Sequence, residues 1–209
     1  GGWLNRDTAF RFRDYADRVT RAFGDRVFSY ATLNEPFCSA YLGYETGVHA
    51  PGLASKSYGK KAAHNLLLAH GKAMQVLDAN SPDSQNGIVL NFTPCYPASD
   101  READRRAARL ADQQFNQWYL KPLMHGRYPE LIDALPLAER PDIHDGDMEL
   151  IAHPLDILGV NYYTRAVYRA AANSYEEVAP QGKLTDMGWE VYPQGLADLL
   201  VTLASQYDL

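Results

Sequence analysis

The sequence lacks the features that identify metal-binding, membrane-spanning and solenoid-repeat proteins. It has only two cysteines among 209 residues, Cys38 and Cys95, and they lack the spacing of a metal site. Free thiols in a reducing compartment such as the cytoplasm are expected, with a disulfide as the alternative. No apolar run reaches the length of a membrane span, and no solenoid repeat occurs. No metal site and no membrane association are therefore expected.

Basic residues are not in excess. The chain has 20 Lys and Arg against 26 Asp and Glu, for a formal net charge of −6. Since binding to phosphates needs a basic surface, nucleic acid is not an expected partner. The 14 Tyr and 3 Trp would suit stacking on sugar rings, although core packing explains most of them.

The apolar periodicity predicts helices and strands in alternation. The first predicted helix carries an apolar stripe from Phe12 to Phe23, and the second covers about 58–78. The third begins at a Ser99–Glu102 capping box, and the fourth covers 193–206. The predicted strands cover about 27–33, 87–92 and 155–164, with loops at 37–52 and 166–188. Such alternation indicates βα units, a parallel sheet and the α/β class.

The first predicted strand runs into Thr32-Leu33-Asn34-Glu35-Pro36. A (β/α)8 barrel presents its catalytic residues at this end of its strands. Partial burial there would raise the pKa of Glu35 and make it a general acid, while Asn34 could bind a substrate hydroxyl. Pro36 is expected to hold Glu35 in an extended conformation. The alternative is a Glu that caps a strand at the surface.

The same stretch resembles the family 1 glycoside hydrolases, the retaining β-glucosidases and their relatives. The resemblance includes Gly43-Tyr44 and Gly47-Val48-His49-Ala50-Pro51-Gly52, and residues 155–164 are similar to the sixth barrel strand of that family. It implies that residues 1–209 are the central part of one (β/α)8 TIM-barrel catalytic domain and supply about strands four to six. Three strands do not close a barrel.

The resemblance also implies the activity and the site. It implies a retaining β-glycosidase, in the first place a β-glucosidase, that hydrolyses β-D-glucosides or oligosaccharides by double displacement without a cofactor or a metal. Glu35 would be the general acid/base. The implied substrate-binding residues are Asn34 at the sugar 2-OH, Asn161 and Tyr163 near the nucleophile, and Phe37, Asn91 and Trp189 at the leaving-group subsite. A strand-end cap for Asn91 and loop packing for Trp189 remain alternatives.

The nucleophile of this family lies in a Thr-Glu-Asn-Gly motif that these 209 residues do not contain. A retaining glycosidase needs two carboxyl groups, so the chain alone is expected to be inactive. A non-catalytic carbohydrate-binding or scaffold remnant of the family is the alternative. The glycone, including 6-phospho sugars, the aglycone and the oligomeric state stay open.

Overall fold

A computed structural model describes residues 1–172 and 174–207 of the chain. Its α-helices are α1 (Asp7–Phe23), α2 (Lys56–Asn80), α3 (Glu102–Phe115), α4 (Gln117–His125), α5 (Leu131–Ala134), α6 (Asp147–Ile151) and α7 (Gln194–Gln206). Its strands are β1 (Ser29–Asn34), β2 (Gln85–Phe92), β3 (Cys95–Pro97), β4 (Ile157–Tyr162), β5 (Ala166–Ala171) and β6 (Ser174–Val178). Short 3₁₀ helices cover Gly2–Leu4 and Leu137–Glu139, and a π-helix covers Cys38–Glu45. Within the described ranges, no helix is long and apolar enough to cross a membrane.

The chain forms two compact units. The first consists of Gly1–Leu90, Tyr119–Tyr128 and Ile132–Gly159. The second consists of Asn91–Trp118, Pro129–Leu131 and the residues from Val160 onward.

A three-stranded sheet in the order β1-β2-β4 organises the first unit. Strands β1 and β2 pair in parallel from Ser29 opposite Gln85 to Asn34 opposite Val89. The predicted parallel α/β arrangement is therefore confirmed. A Cβ atom on Gly87 would lie 1.8 Å from the carbonyl oxygen of Ile157, so the backbones of β2 and β4 approach closely at this glycine.

Helix α2 forms the centre of the core of the first unit. Three consecutive leucines, Leu66, Leu67 and Leu68, are all buried, so the helix is covered on every side. Helix α1 packs against it through Ala9.

The predicted apolar stripe of α1 is buried only in part. Tyr15 is 65% exposed and Phe23 50% exposed, which corrects the prediction for these two residues. Tyr15 borders a groove of about 190 Å³ that is also lined by Tyr30 and Ala31 of β1.

The second unit contains a hairpin where the sequence predicted a long loop. Strands β5 and β6 pair antiparallel, from Val167 opposite Val178 to Ala171 opposite Ser174, and β3 pairs in parallel with β5. The loop prediction is wrong over these strands. Tyr168 of β5 is buried against the alanines of α3, which explains why the hairpin is held in place.

Helix α3 begins differently from the prediction. Its N-cap is Arg101, and the Ser99 hydroxyl donates to the carboxylate of Asp104 instead of closing a capping box. Asp104 is buried and also accepts a hydrogen bond of 3.0 Å from the backbone N–H of Ala170. The hydrogen bonds from Ser99 and Ala170, together with the neighbouring Arg101, lower the pKa of Asp104 to about 2. Asp104 is thus a buried carboxylate within a charged segment that is otherwise exposed.

Candidate active site

The backbone fixes Glu35 directly after the last residue of β1. The Glu35 N–H donates to the carbonyl of Val89 on β2, and its own carbonyl accepts from the N–H of Cys38, both at 2.9 Å. Glu35 has a φ of +50°, which is uncommon for a residue other than glycine. The expectation that Pro36 holds it extended is therefore wrong. The two backbone hydrogen bonds impose a turn that strains Glu35 locally, as is found at functional sites.

The turn leads into the π-helix Cys38–Glu45, where the sequence predicted a loop. Its last turn is closed by a hydrogen bond of 2.9 Å from the Thr46 N–H to the Tyr41 carbonyl, five residues earlier. A Cβ atom on Gly43 would lie 2.7 Å from the carbonyl oxygen of Ala50. This close approach gives the physical reason for glycine at that place in the motif.

The ring of Phe37 lies in an aromatic cluster. It stacks on Tyr41 with 4.9 Å between the ring centroids and an interplanar angle of 19°. It also meets Tyr119 edge-on at 6.1 Å. Phe37, Asn34 and Glu35 thus lie together at the carboxyl end of β1. No pattern in the sequence indicates that Tyr41 and Tyr119 join them.

A buried ion pair supports the far end of the π-helix. The Nζ atom of Lys60 lies 3.5 Å from Oε2 of Glu45, and the two side chains are 6% and 10% exposed. Burial raises the pKa of Glu45 and lowers that of Lys60, while each partner opposes the shift of the other. The pair joins the π-helix to the buried helix α2.

The two histidines of α2 are both buried. His64 is paired through its Nδ1 with the Tyr128 hydroxyl at 2.9 Å and through its Nε2 with Asp147 at 3.0 Å. His70 is paired through its Nδ1 with Thr32 of β1 at 2.7 Å. Its Nε2 has no hydrogen-bond partner within the described residues, and burial lowers the pKa of His70 to about 3. His70 is therefore a neutral contact between α2 and the strand that carries Glu35.

The second unit brings two more of the predicted residues together. Tyr163 and Trp189 contact each other with ring centroids 5.1 Å apart, and they are 51% and 39% exposed. The neighbouring Tyr162 instead donates from its hydroxyl to the Tyr192 carbonyl. Tyr163 and Trp189 thus form a half-exposed aromatic surface, and Tyr162 holds the loop before α7.

The other two predicted residues lie on strands and are half-buried. Asn91 is the last but one residue of β2, and Asn161 is the last but one of β4. Each therefore lies close to the carboxyl end of its strand, where the sequence placed it.

An ion pair that the sequence did not indicate fixes the segment around Trp189. The Nε atom of Arg165 donates to Glu190 at 2.7 Å, and the guanidinium lies 3.7 Å from the centroid of the Tyr192 ring. The hydrogen bond from Arg165 lowers the pKa of Glu190. Two oppositely charged residues 25 positions apart leave no local pattern, so no sequence signal could have revealed this contact.

Strands that alternate with helices around a parallel sheet, with polar residues after the strand ends, are the construction of (β/α)8-barrel proteins. The model of glycosyl hydrolase family 1 matches residues 1–209. The chain belongs to that family.

Similar proteins agree with this assignment. Beta-glucosidase A of Acetivibrio thermocellus is 38% identical over 217 residues, which cover 99% of this chain and 48% of that protein. The structure of the virulence factor SghA with its substrate analogue salicin superimposes with a TM-score of 0.96 at 34% identity. A Thermotoga maritima family 1 glycoside hydrolase in complex with a cyclophellitol analogue gives 0.93 at 36%. Each superposition covers 100% of this chain and 48% of the other, so the chain spans about half the length of these relatives.

Proposed function

We propose that residues 1–209 are the central part of the catalytic barrel of a retaining β-glycosidase that hydrolyses β-D-glucosides. The observation that carries the proposal is the fixed position of Glu35 at the end of β1, beside Asn34 and the Phe37 ring. Membership of family 1 and the names of the similar proteins support the substrate class.

Glu35 acts as the general acid and then as the general base. In a retaining mechanism it protonates the leaving oxygen while a second carboxylate, about 5–5.5 Å away, attacks the anomeric carbon. Glu35 then removes a proton from the water that hydrolyses the glycosyl-enzyme. The second carboxylate belongs to the Thr-Glu-Asn-Gly motif of the family, outside these residues.

The remaining predicted residues bind the substrate. Asn34, adjacent to the acid, binds the sugar 2-OH, and the Phe37 ring forms a wall of the leaving-group subsite. Tyr163 and Asn161 face the nucleophile, with the Tyr163 hydroxyl donating to it. We assign Trp189, through its exposed ring, and Asn91, through its amide, to contacts with the leaving group.

The test is Glu35→Gln in the full-length gene product that contains these residues. We expect hydrolysis of alkyl β-glucosides, which are poor leaving groups, to be abolished. Aryl β-glucosides with activated leaving groups should lose less in the first step, because they need little protonation. Added azide should then restore turnover and yield a β-glycosyl azide.

Two results would contradict the proposal. Equal losses for good and poor leaving groups would remove the acid role from Glu35, and an α-configured azide would exclude retention. Glucoside binding without turnover, unchanged by Glu35→Gln, would instead indicate the alternative of a non-catalytic carbohydrate-binding remnant.

A further inference from the structure

Cys38 makes two contacts with Glu35. Its backbone N–H donates to the Glu35 carbonyl at 2.9 Å, and its thiol donates to Oε2 of the Glu35 carboxyl at 3.1 Å. Hydrogen bonds donated by sulfur are weaker and longer than those donated by nitrogen or oxygen, so 3.1 Å is a short distance for this pair. One residue therefore holds both the backbone and the carboxyl group of Glu35.

The thiol is held in this position by its place in the fold. Cys38 is the first residue of the π-helix and closes the Glu35–Cys38 turn, so its Cβ atom has little freedom to move. Burial raises the pKa of the Cys38 thiol to about 12, and Glu35 adds to that shift. The thiol keeps its proton at neutral pH and is available as a donor.

The titratable groups described around the thiol include two tyrosines and an ion pair. The hydroxyl of the buried Tyr119 interacts with both Cys38 and Tyr41, and burial raises the pKa of both tyrosines. Glu45 also acts on Tyr119, but it is paired with Lys60. The thiol is therefore a neutral donor beside a carboxyl group.

We propose that Cys38 is a positioning residue, whose thiol orients the Glu35 carboxyl through Oε2 and stabilises its charged form. A hydrogen bond to the charged form of an acid favours that form. The donor therefore holds the pH at which Glu35 titrates below the value it would have without the thiol. The consequence for catalysis rests on the proposed role of Glu35, whereas the contact itself does not.

The contact can be tested in the chain without any measurement of activity. The glutamate carboxyl carbons are labelled with ¹³C, and the Glu35 signal is identified as the one lost in Glu35→Gln. Its titration midpoint is then measured in the unmodified chain, in Cys38→Ala and in Cys38→Ser. The matched control is Cys95→Ala, which removes the other thiol, whose hydrogen bond goes to the Thr93 carbonyl.

We expect Cys38→Ala to raise the Glu35 midpoint by about half a pH unit or more, because the carboxylate loses a donor. Cys38→Ser keeps a donor and should leave the midpoint at or below that of the unmodified chain. Cys95→Ala should not move it. Equal midpoints in the unmodified chain and Cys38→Ala would overturn the proposal, as would Cys38→Ser behaving like Cys38→Ala.

A measurement on the unmodified chain tests the contact even if the Cys38 variants do not fold. The infrared S–H stretching band of Cys38 should shift as Glu35 is protonated, with the same midpoint as the carboxyl signal. A band that stays fixed through this titration would overturn the contact.

The full-length gene product separates this inference from the proposed function. There, Cys38→Ala should move the basic limb of the kcat/KM profile upward by the shift measured for the carboxyl group. A shifted midpoint without any glycoside hydrolysis would leave the contact standing and reject the proposed function. Normal hydrolysis with an unshifted midpoint and an unshifted basic limb would reject the inference alone.

Discussion

The ammonium group of Lys60 is buried against the carboxylate of Glu45, with 3.5 Å between Nζ and Oε2. The contact joins the end of the π-helix, which begins three residues after Glu35, to the most buried helix of the first unit. Removing water from both charges is costly, and each charge offsets part of the cost of burying the other. The pair therefore makes the segment next to the candidate acid sensitive to substitution.

Lys60→Met should destabilise the protein strongly, because it leaves the Glu45 carboxyl buried without its cation. The expected loss in the free energy of unfolding is about 3–5 kcal/mol at neutral pH, measured by urea denaturation. The double variant Glu45→Gln with Lys60→Met should recover most of that loss. Lys61→Met is the matched control, since Lys61 is exposed and its loss should stay within about 0.5 kcal/mol. Similar losses for Lys60→Met and Lys61→Met would show that the buried pair contributes nothing.

Asp147 and His64 should make the stability dependent on pH. Burial alone would raise the pKa of Asp147, but hydrogen bonds from Arg6, the His144 N–H and His64 outweigh it and hold that pKa well below its usual range. Its contribution is thus present above the ordinary aspartate pKa of about 3.9 and is lost as the pH falls further towards the lowered value. Burial lowers the pKa of His64, so protonation of the unfolded chain below about pH 6.5 acts in the same direction.

We therefore expect the free energy of unfolding to fall from about pH 6.5 towards pH 3, and this fall can be measured by urea denaturation at each pH. Asp147→Asn should be less stable at pH 7 and should lose the part of the slope below about pH 4. The control is Asp83→Asn, because Asp83 is an exposed aspartate in the turn before β2 and lies in the same unit. A slope that Asp147→Asn and Asp83→Asn change equally would refute the role of Asp147.

The sequence predicts the framework around Glu35 well because that framework follows from local pattern. Apolar runs of four to eight residues between helical stripes locate β1, β2 and β4, and the polar residues after β1 locate the candidate site. The end of a strand is a local property. The alternation of strands and helices then determines that the sheet is parallel.

Other features depend on contacts between distant residues and leave no local signal. Glu35 adopts a positive φ where its N–H bonds to Val89 on another strand, in spite of the preference that Pro36 imposes. The π-helix has no simple apolar period to reveal it. The capping box predicted at Ser99 does not form, because the Ser99 hydroxyl donates to Asp104. Asp104 is held in place by the N–H of Ala170, which is 66 residues away in the sequence.

Tyr162 and Tyr163 are neighbours with different roles, and exchanging each for Phe should separate activity from stability. In the full-length gene product, Tyr163→Phe should lower kcat and move the acidic limb of the pH–rate profile upward, because the nucleophile loses a donor that favours its charged form. Tyr162→Phe should affect kcat much less. It should instead cost about 1 kcal/mol of stability, because its hydroxyl donates to the Tyr192 carbonyl. Equal effects of the two variants on kcat, or the reverse order, would refute the assignment of Tyr163.

Residues 1–209 expressed alone should not hydrolyse β-glycosides. Retaining chemistry needs a carboxylate opposite Glu35, and we consider Glu177 and Glu190 as the candidates within this chain. Glu190 accepts hydrogen bonds from Arg165 and from the N–H of Gly182, which favours a structural role over a catalytic one. Burial raises the pKa of Glu177. The measurement is an aryl β-glucoside assay on the purified chain, with Glu35→Gln as the blank. Activity above that blank, lost in Glu177→Gln or Glu190→Gln, would identify the missing nucleophile within this chain and show that the motif argument is wrong.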